Sequence, residues 1–105
     1  MGPGALTPKN LDKFENLHCF ILEGMRLYPS DAALIQKRAL VDHKIGDFFI
    51  RKGQFLNVST LGIMYNELYY EYPYKFNPDR WLKTWKQVDP YKYLVFSAGP
   101  RNCVG

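Results

Sequence analysis

The sequence has few of the features that would place it quickly. No apolar run comes near the roughly 18 residues of a membrane-spanning helix. The best are Cys19-Phe20-Ile21-Leu22 and Tyr93-Leu94-Val95-Phe96. Two cysteines, Cys19 and Cys103, are too few for a disulfide framework. Positions 1–10 contain no apolar core of a secretory signal, so a reducing compartment is expected. Charge of one sign is also scarce. Fourteen Lys and Arg against ten Asp and Glu leave a formal charge of +4, too modest and too mixed to argue for nucleic acid. At 105 residues the chain is long enough for one small domain and too short for two. It has no internal repeat, low-complexity tract or dividing linker.

Aromatic residues are abundant and unevenly placed. Apolar residues make up 47% of the chain, which excludes global disorder. Of 17 aromatics, eleven lie within 65–96, and seven of the eight tyrosines lie within 65–93. Pro73, Pro78 and Pro90 interrupt the same stretch, so no long regular element runs through it. A segment this aromatic and this irregular is expected to wrap around something.

Hydrophobic periodicity places a helix over about 8–28. Thr7 reads as its N-cap, Pro8 as its first residue, and Pro29 stops it. Leu11, Phe14, Leu17, Ile21, Leu22 and Met25 share one arc, while Phe20 and Leu27 add apolar surface opposite, the pattern of a buried helix. Short strands are expected over about 33–58, a β-hairpin plus one further strand, with turn chemistry at Lys44-Ile45-Gly46-Asp47 and Lys52-Gly53. A single helical turn is expected over 67–72, and 77–97 reads as coil pinned by its aromatic side chains.

Two constellations carry chemistry. Glu23 and Arg26 stand at i, i+3 and meet on one helix face. On a surface such a pair is worth about 0.3–0.5 kcal/mol. In a buried helix every donor and acceptor must be matched, and one carboxylate cannot occupy all five guanidinium donors. Arg80 is the candidate for a third charged group. The other constellation is Phe96-Ser97-Ala98-Gly99-Pro100-Arg101-Asn102-Cys103-Val104-Gly105. A lone cysteine is usually a small buried hydrophobe. This one has glycines that let the backbone turn tightly and an arginine two residues before it. Thiolate is the metal-binding form, and a neighbouring cation stabilises it. With one cysteine in the loop, a zinc site of several thiolates is excluded, whereas haem iron brings four nitrogens of its own.

These residues resemble the cytochrome P-450 family. Positions 96–105 fit its haem-binding loop, F-x-x-G-x-R-x-C-x-G, at all five fixed positions. Glu23-Gly24-Met25-Arg26 is similar to its E-x-x-R element, and Phe76-Asn77-Pro78-Asp79-Arg80-Trp81 to its Pro-x-Arg element, in the family's order. The resemblance implies a partial domain over 1–105, mainly α with a small β part, comprising the helix of 8–28, short strands of 33–58, and a coil and haem-binding loop of 77–105. Cys103 is then the axial thiolate of haem iron. Arg101 pairs with a haem propionate, Arg38 supplies a second propionate contact, Phe96 packs near porphyrin and sulfur, and Gly99 and Gly105 let the backbone pass closely. Glu23, Arg26 and Arg80 form a structural charge triad that holds the coil, and no catalytic acid–base residue is identified.

The implied activity is that of a haem-thiolate monooxygenase. It oxidises an apolar small-molecule substrate with O2 and electrons that come from NAD(P)H through a reductase partner. The resemblance covers the family's C-terminal third and implies an incomplete fragment, inactive alone. Membrane attachment is expected only through an N-terminal anchor outside it, at the endoplasmic reticulum of the full-length parent. Some positions depart from the family pattern: Val95 and Arg51 stand where proline is usual, Met64 where histidine is common, and Gly24 sits inside the helix. Other readings stay open: a same-fold haem-thiolate isomerase or dehydratase, a remnant without activity, and, more distantly, a small basic nucleic-acid-binding module.

Overall fold

A computed structural model describes residues 7–30 and 35–104. Helix α1 covers Glu15–Leu27. The helix expected from position 8 therefore starts seven residues later. The segment before it makes a separate 3-10 turn at Leu11–Lys13, because Asn10 Oδ1 accepts the Thr7 N–H, at 2.8 Å, and ties the chain into a local turn. The expectation that α1 is buried all round also changes. Cys19, Glu23, Arg26 and Leu27 form its buried face, whereas Phe14, Leu17, Phe20 and Ile21 remain exposed among the described residues. The buried stripe is carried by the two charged residues, which apolar periodicity does not register.

After Pro29 the chain forms a nested antiparallel arm. Strand β1 (Ile35–Arg38) pairs with β4 (Phe55–Val58), in register from Ile35 opposite Val58 to Arg38 opposite Phe55. Inside them β2 (His43–Ile45) pairs with β3 (Phe48–Ile50). Gly46, at φ +56°, is the first of the two turn residues joining β2 to β3, a position that favours glycine. Bonds from Ala39 N–H to Gln54 O and from Gly53 N–H to Ala39 O prolong the outer pair, and Asp42 Oδ1 accepts the Lys52 N–H. The expected hairpin plus strand thus becomes two sheets, since β4 returns to a partner that precedes the hairpin.

Helix α2 (Thr60–Met64) follows, capped by Ser59, whose side chain accepts the Gly62 N–H at 3.1 Å. The 67–72 segment is turn, and the next short helical pieces are 3-10 turns at Pro78–Trp81 and Trp85–Gln87. Among the described residues two α-helices, three 3-10 turns and two small antiparallel sheets account for the regular structure, so "mainly α with a small β part" holds only in its coarse form. The core is small. Cys19, Met64, Tyr70, Trp81 and Tyr93 pack together, with Leu22, Met25 and Val95 partly buried beside them. The aromatic 65–96 segment wraps α1, as its composition suggested. A radius of gyration of 17.4 Å exceeds the about 13 Å of a compact domain of this size.

Candidate functional site

Glu23 is the best-connected side chain of the chain's core. One turn along α1, Arg26 donates Nε–H to Oε2 at 2.9 Å and Nη2–H to Oε1 at 2.8 Å. The 78–81 turn brings the Asn77 N–H and Arg80 Nε–H to Oε1, both at 3.0 Å, and the Trp81 indole N–H to Oε2 at 2.9 Å. The carboxylate therefore accepts five hydrogen bonds. Glu23 and Arg26 are fully buried, and the Arg80 side chain is 11% exposed. The remaining guanidinium donors meet backbone carbonyls: Arg26 reaches Met64 O at 2.8 Å, and Arg80 reaches Glu71 O at 3.0 Å. Two positive charges face one negative, and the Tyr70 ring, 5.1 and 5.9 Å from the two guanidinium carbons, helps offset the excess.

Burial alone would push the Glu23 carboxyl up. The hydrogen bonds from Arg26, Asn77, Trp81 and Arg80 outweigh that and hold it below its ordinary value. Around the hub, Tyr93 donates its hydroxyl to Leu22 O at 2.9 Å and Tyr70 donates to Lys92 O at 2.8 Å. Both phenols are buried, and burial raises their pKa values, that of Tyr70 to about 12. The structure brings Glu23, Arg26 and Arg80 together around one carboxylate. Trp81, Asn77, Tyr70 and the Met64 carbonyl were missed. Trp81 directly follows Arg80 in the sequence, so the 78–81 turn was the available signal.

The Cys103 loop is a different kind of structure. Its ends are joined by the Cys103 N–H donating to Phe96 O at 2.9 Å, and within it Asn102 N–H donates to Gly99 O. Gly99 sits at φ +86°, with no atom near where a Cβ would be, so the backbone conformation rather than a close approach calls for glycine. Ser97 also has positive φ. Cys103 is an exposed free thiol, and Cys19 is free and buried. A cleft of about 380 Å³ is lined by Phe96, Arg101 and Cys103, together with Ile35 and Lys37 of β1, Thr60 of α2, and Leu94 and Val95. Arg38 lies elsewhere. It shares a second hollow with Leu40, Lys52 and Gly53, and its guanidinium stands 5.7 Å from the Phe55 ring centre. Gly99 does not line the cleft, and Gly105 lies outside the described residues. Lys37 and Thr60 are cleft residues the sequence reading missed; strand alternation from Ile35 was the signal for the first.

The donor set decides what the cleft suits. Among the described residues no three His, Cys, Asp or Glu side chains gather to hold a metal ion. A single thiol can hold only a metal that brings its other ligands. The cleft adds an apolar wall from Ile35, Leu94, Val95 and Phe96, and two cations, Lys37 and Arg101. An apolar macrocycle with an acidic edge fits that chemistry. Among the described residues no helix is long and apolar enough to cross a membrane.

Comparison with known proteins agrees with this chemistry. The family model described as cytochrome P450 matches residues 4–105. A cytochrome P450 monooxygenase of Gibberella zeae is 42% identical over 81% of this chain and 20% of its own length. Cytochrome P450 3A18 of Rattus norvegicus is 38% identical over 95% of the chain and 20% of its length. Cytochrome P450 6l1 of Blattella germanica is 36% identical over 97% and 21%. The chain thus spans about a fifth of the length of the curated relatives it matches. With the family model matched over residues 4–105 and relatives 36–42% identical over 81–97% of its length, the chain belongs to the cytochrome P450 family.

Proposed function

We propose that this chain forms the thiolate side of a haem-thiolate monooxygenase acting on an apolar small molecule. The carrying observation is the cleft that gathers Cys103, Arg101 and Phe96 beside an apolar wall. In this reading Cys103 coordinates iron as thiolate, Arg101 binds the acidic edge of the macrocycle, and Phe96 covers the sulfur side. Gly99 supplies the left-handed backbone that lets the loop close on itself. Haem bound there supplies the iron that activates O2, with electrons drawn from NAD(P)H through a reductase.

The chain's own contribution is ligation and orientation. The Glu23 hub fixes α1 against the 78–81 turn, and the Tyr93 bond to Leu22 O ties in the segment that leads directly to the loop. The triad moves no proton in this scheme. Attachment of the parent protein to the endoplasmic reticulum membrane rests, in this reading, on sequence other than the described residues.

The test is a titration of the chain with haem in excess, followed by absorption and magnetic circular dichroism of the ferrous carbonyl adduct. The wild type is expected to give the red-shifted Soret band of a thiolate ligand, and Cys103→Ser to lose it. Indistinguishable spectra for the two proteins would overturn the assignment.

A further inference from the structure

We infer that a hollow formed by the 69–71 and 80–92 segments is a binding site for a small quaternary ammonium ion, and that the Lys92 side chain stands in for that ion in the free chain. The inference is independent of the haem-thiolate reading, because none of its residues lines the cleft that contains Cys103. The hollow measures about 380 Å³. Its buried lining is Tyr70 and Trp81, 7% and 6% exposed, whose rings meet at 59° with centres 6.0 Å apart. Tyr69, Glu71, Asp89 and Lys92, all exposed, stand in its wall.

Aromatic faces attract cations within about 6 Å of the ring centre, and this region uses that attraction three times. The guanidinium carbons of Arg26 and Arg80 lie 5.1 and 5.9 Å from the Tyr70 ring centre, and Lys92 Nζ lies 5.8 Å from that of Tyr69. Both arginines are fixed by Glu23 and by backbone carbonyls. Lys92 is fixed at its root: its N–H donates to Asp89 O at 3.1 Å, and its carbonyl accepts the Tyr70 hydroxyl at 2.8 Å. Its ammonium has no ion-pair partner among the described residues. The Tyr69 face is thus covered by a strongly hydrated charge on a flexible stem, near the limit of attraction. A quaternary ammonium is weakly hydrated and has no N–H to satisfy, so it can close on the ring where Lys92 does not.

The polar groups select a cation over an anion. Arg80 also lines the hollow, but its Nε–H is on Glu23 Oε1, and its Nη groups are on the carbonyls of Glu71, Tyr72 and Lys75. A guest anion would find Lys92, whereas a guest cation finds two carboxylates, Glu71 and Asp89. Neither carboxylate forms an ion pair among the described residues. Asp89 Oδ1 accepts the Tyr91 N–H at 2.9 Å, which sets the direction of that carboxylate. When a guest displaces the Lys92 ammonium into water, it meets both carboxylates unopposed, in a partly enclosed site where attraction is stronger than in open water.

The probes are choline and 3,3-dimethyl-1-butanol, its uncharged isostere with carbon in place of nitrogen. Both are titrated calorimetrically into the full chain at constant ionic strength, with far-ultraviolet circular dichroism confirming that each variant retains wild-type structure. The wild type is expected to bind choline about tenfold more tightly than the isostere. Tyr69→Leu is expected to raise the choline Kd about tenfold and Asp89→Asn about threefold, whereas Lys92→Ala, which uncovers the ring, lowers it about threefold. Lys44→Ala makes the same change of net charge on β2 and is expected to bind choline as the wild type does. No saturation at up to about 0.1 M choline, equal affinity for the two probes, or a choline Kd in Lys92→Ala that is unchanged or raised would overturn the inference. Equal tightening in Lys44→Ala and Lys92→Ala would do the same, since net charge alone would then account for it. The two readings fail separately: the choline titration involves no residue of the Cys103 cleft, and the Cys103→Ser spectrum involves none of the hollow.

Discussion

The Glu23 hub and the Cys103 loop lie in one small chain and are built on opposite terms. At the hub, charge is buried and almost every donor is matched. One carboxylate accepts five hydrogen bonds, and its partners come from α1 and from the 77–81 segment. At the loop, the reactive atom is exposed, and a single backbone bond from Cys103 N–H to Phe96 O joins the two ends. A matched buried ion network is stiff because losing any one member strands the others. An exposed thiol on a short loop has little to lose. The difference teaches a division of labour: the buried charges of the hub hold the backbone, and the exposed thiol of Cys103 stands outside that network.

The largest expected effect breaks the stiff side. Glu23→Gln keeps the side chain's shape and removes the only negative charge that pairs with Arg26 and Arg80 among the described residues. Stability to urea is expected to fall by about 3–5 kcal/mol, a large share of what a domain of this size possesses. An unchanged unfolding midpoint would remove the hub from its anchoring role. The same group sets an acid limb. Its folded pKa is lowered, so the unfolded chain binds the proton more readily than the folded one. Its stabilisation is complete above the ordinary value of 4.5 and is lost as pH falls through the folded value. Urea midpoints measured above and below pH 4.5 should show that loss in the wild type and not in Glu23→Gln.

A smaller effect sharpens the comparison by removing one donor while keeping the packing. Trp81→Phe retains an aromatic ring among Tyr70 and Tyr93 and deletes the indole bond to Glu23 Oε2. The expected cost is about 1.5–3 kcal/mol, the range for a hydrogen bond to a charged group. The smallest effect belongs to the loop. Cys103→Ser is expected to change urea stability by less than about 0.5 kcal/mol, as for an exposed position away from caps and core, while abolishing the thiolate spectrum. A fall comparable to that of Glu23→Gln would mean that the loop is part of the core after all.

Much of this was legible before any coordinates. The cysteine loop, the Glu23–Arg26 pair and Arg80 are readable because they depend on residue type and spacing, which the sequence states outright. The wrapping role of 65–96 followed from aromatic density broken by prolines. Three things were not legible. The start of α1 at Glu15 depends on a local bond from the Thr7 N–H to Asn10 Oδ1, which competes with helix and leaves no apolar pattern. The buried face of α1 runs through Glu23 and Arg26, so a search for apolar residues points to the wrong side. Helix α2 is only five residues long, too short for periodicity, and is marked in the sequence only by its Ser59 cap.

Lys37 and Arg38 show most plainly where sequence ends and tertiary structure begins. By itself the sequence determined the chemistry available: one metal-capable thiol in a glycine-bearing loop, a carboxylate with two arginines able to reach it, and adjacent cations at 37 and 38. Which of those cations faces the thiol is a matter of strand parity, and parity is set by the register of β1 against β4. Tertiary structure alone decided it, because two neighbouring residues of nearly equal charge are interchangeable in composition and opposite in space.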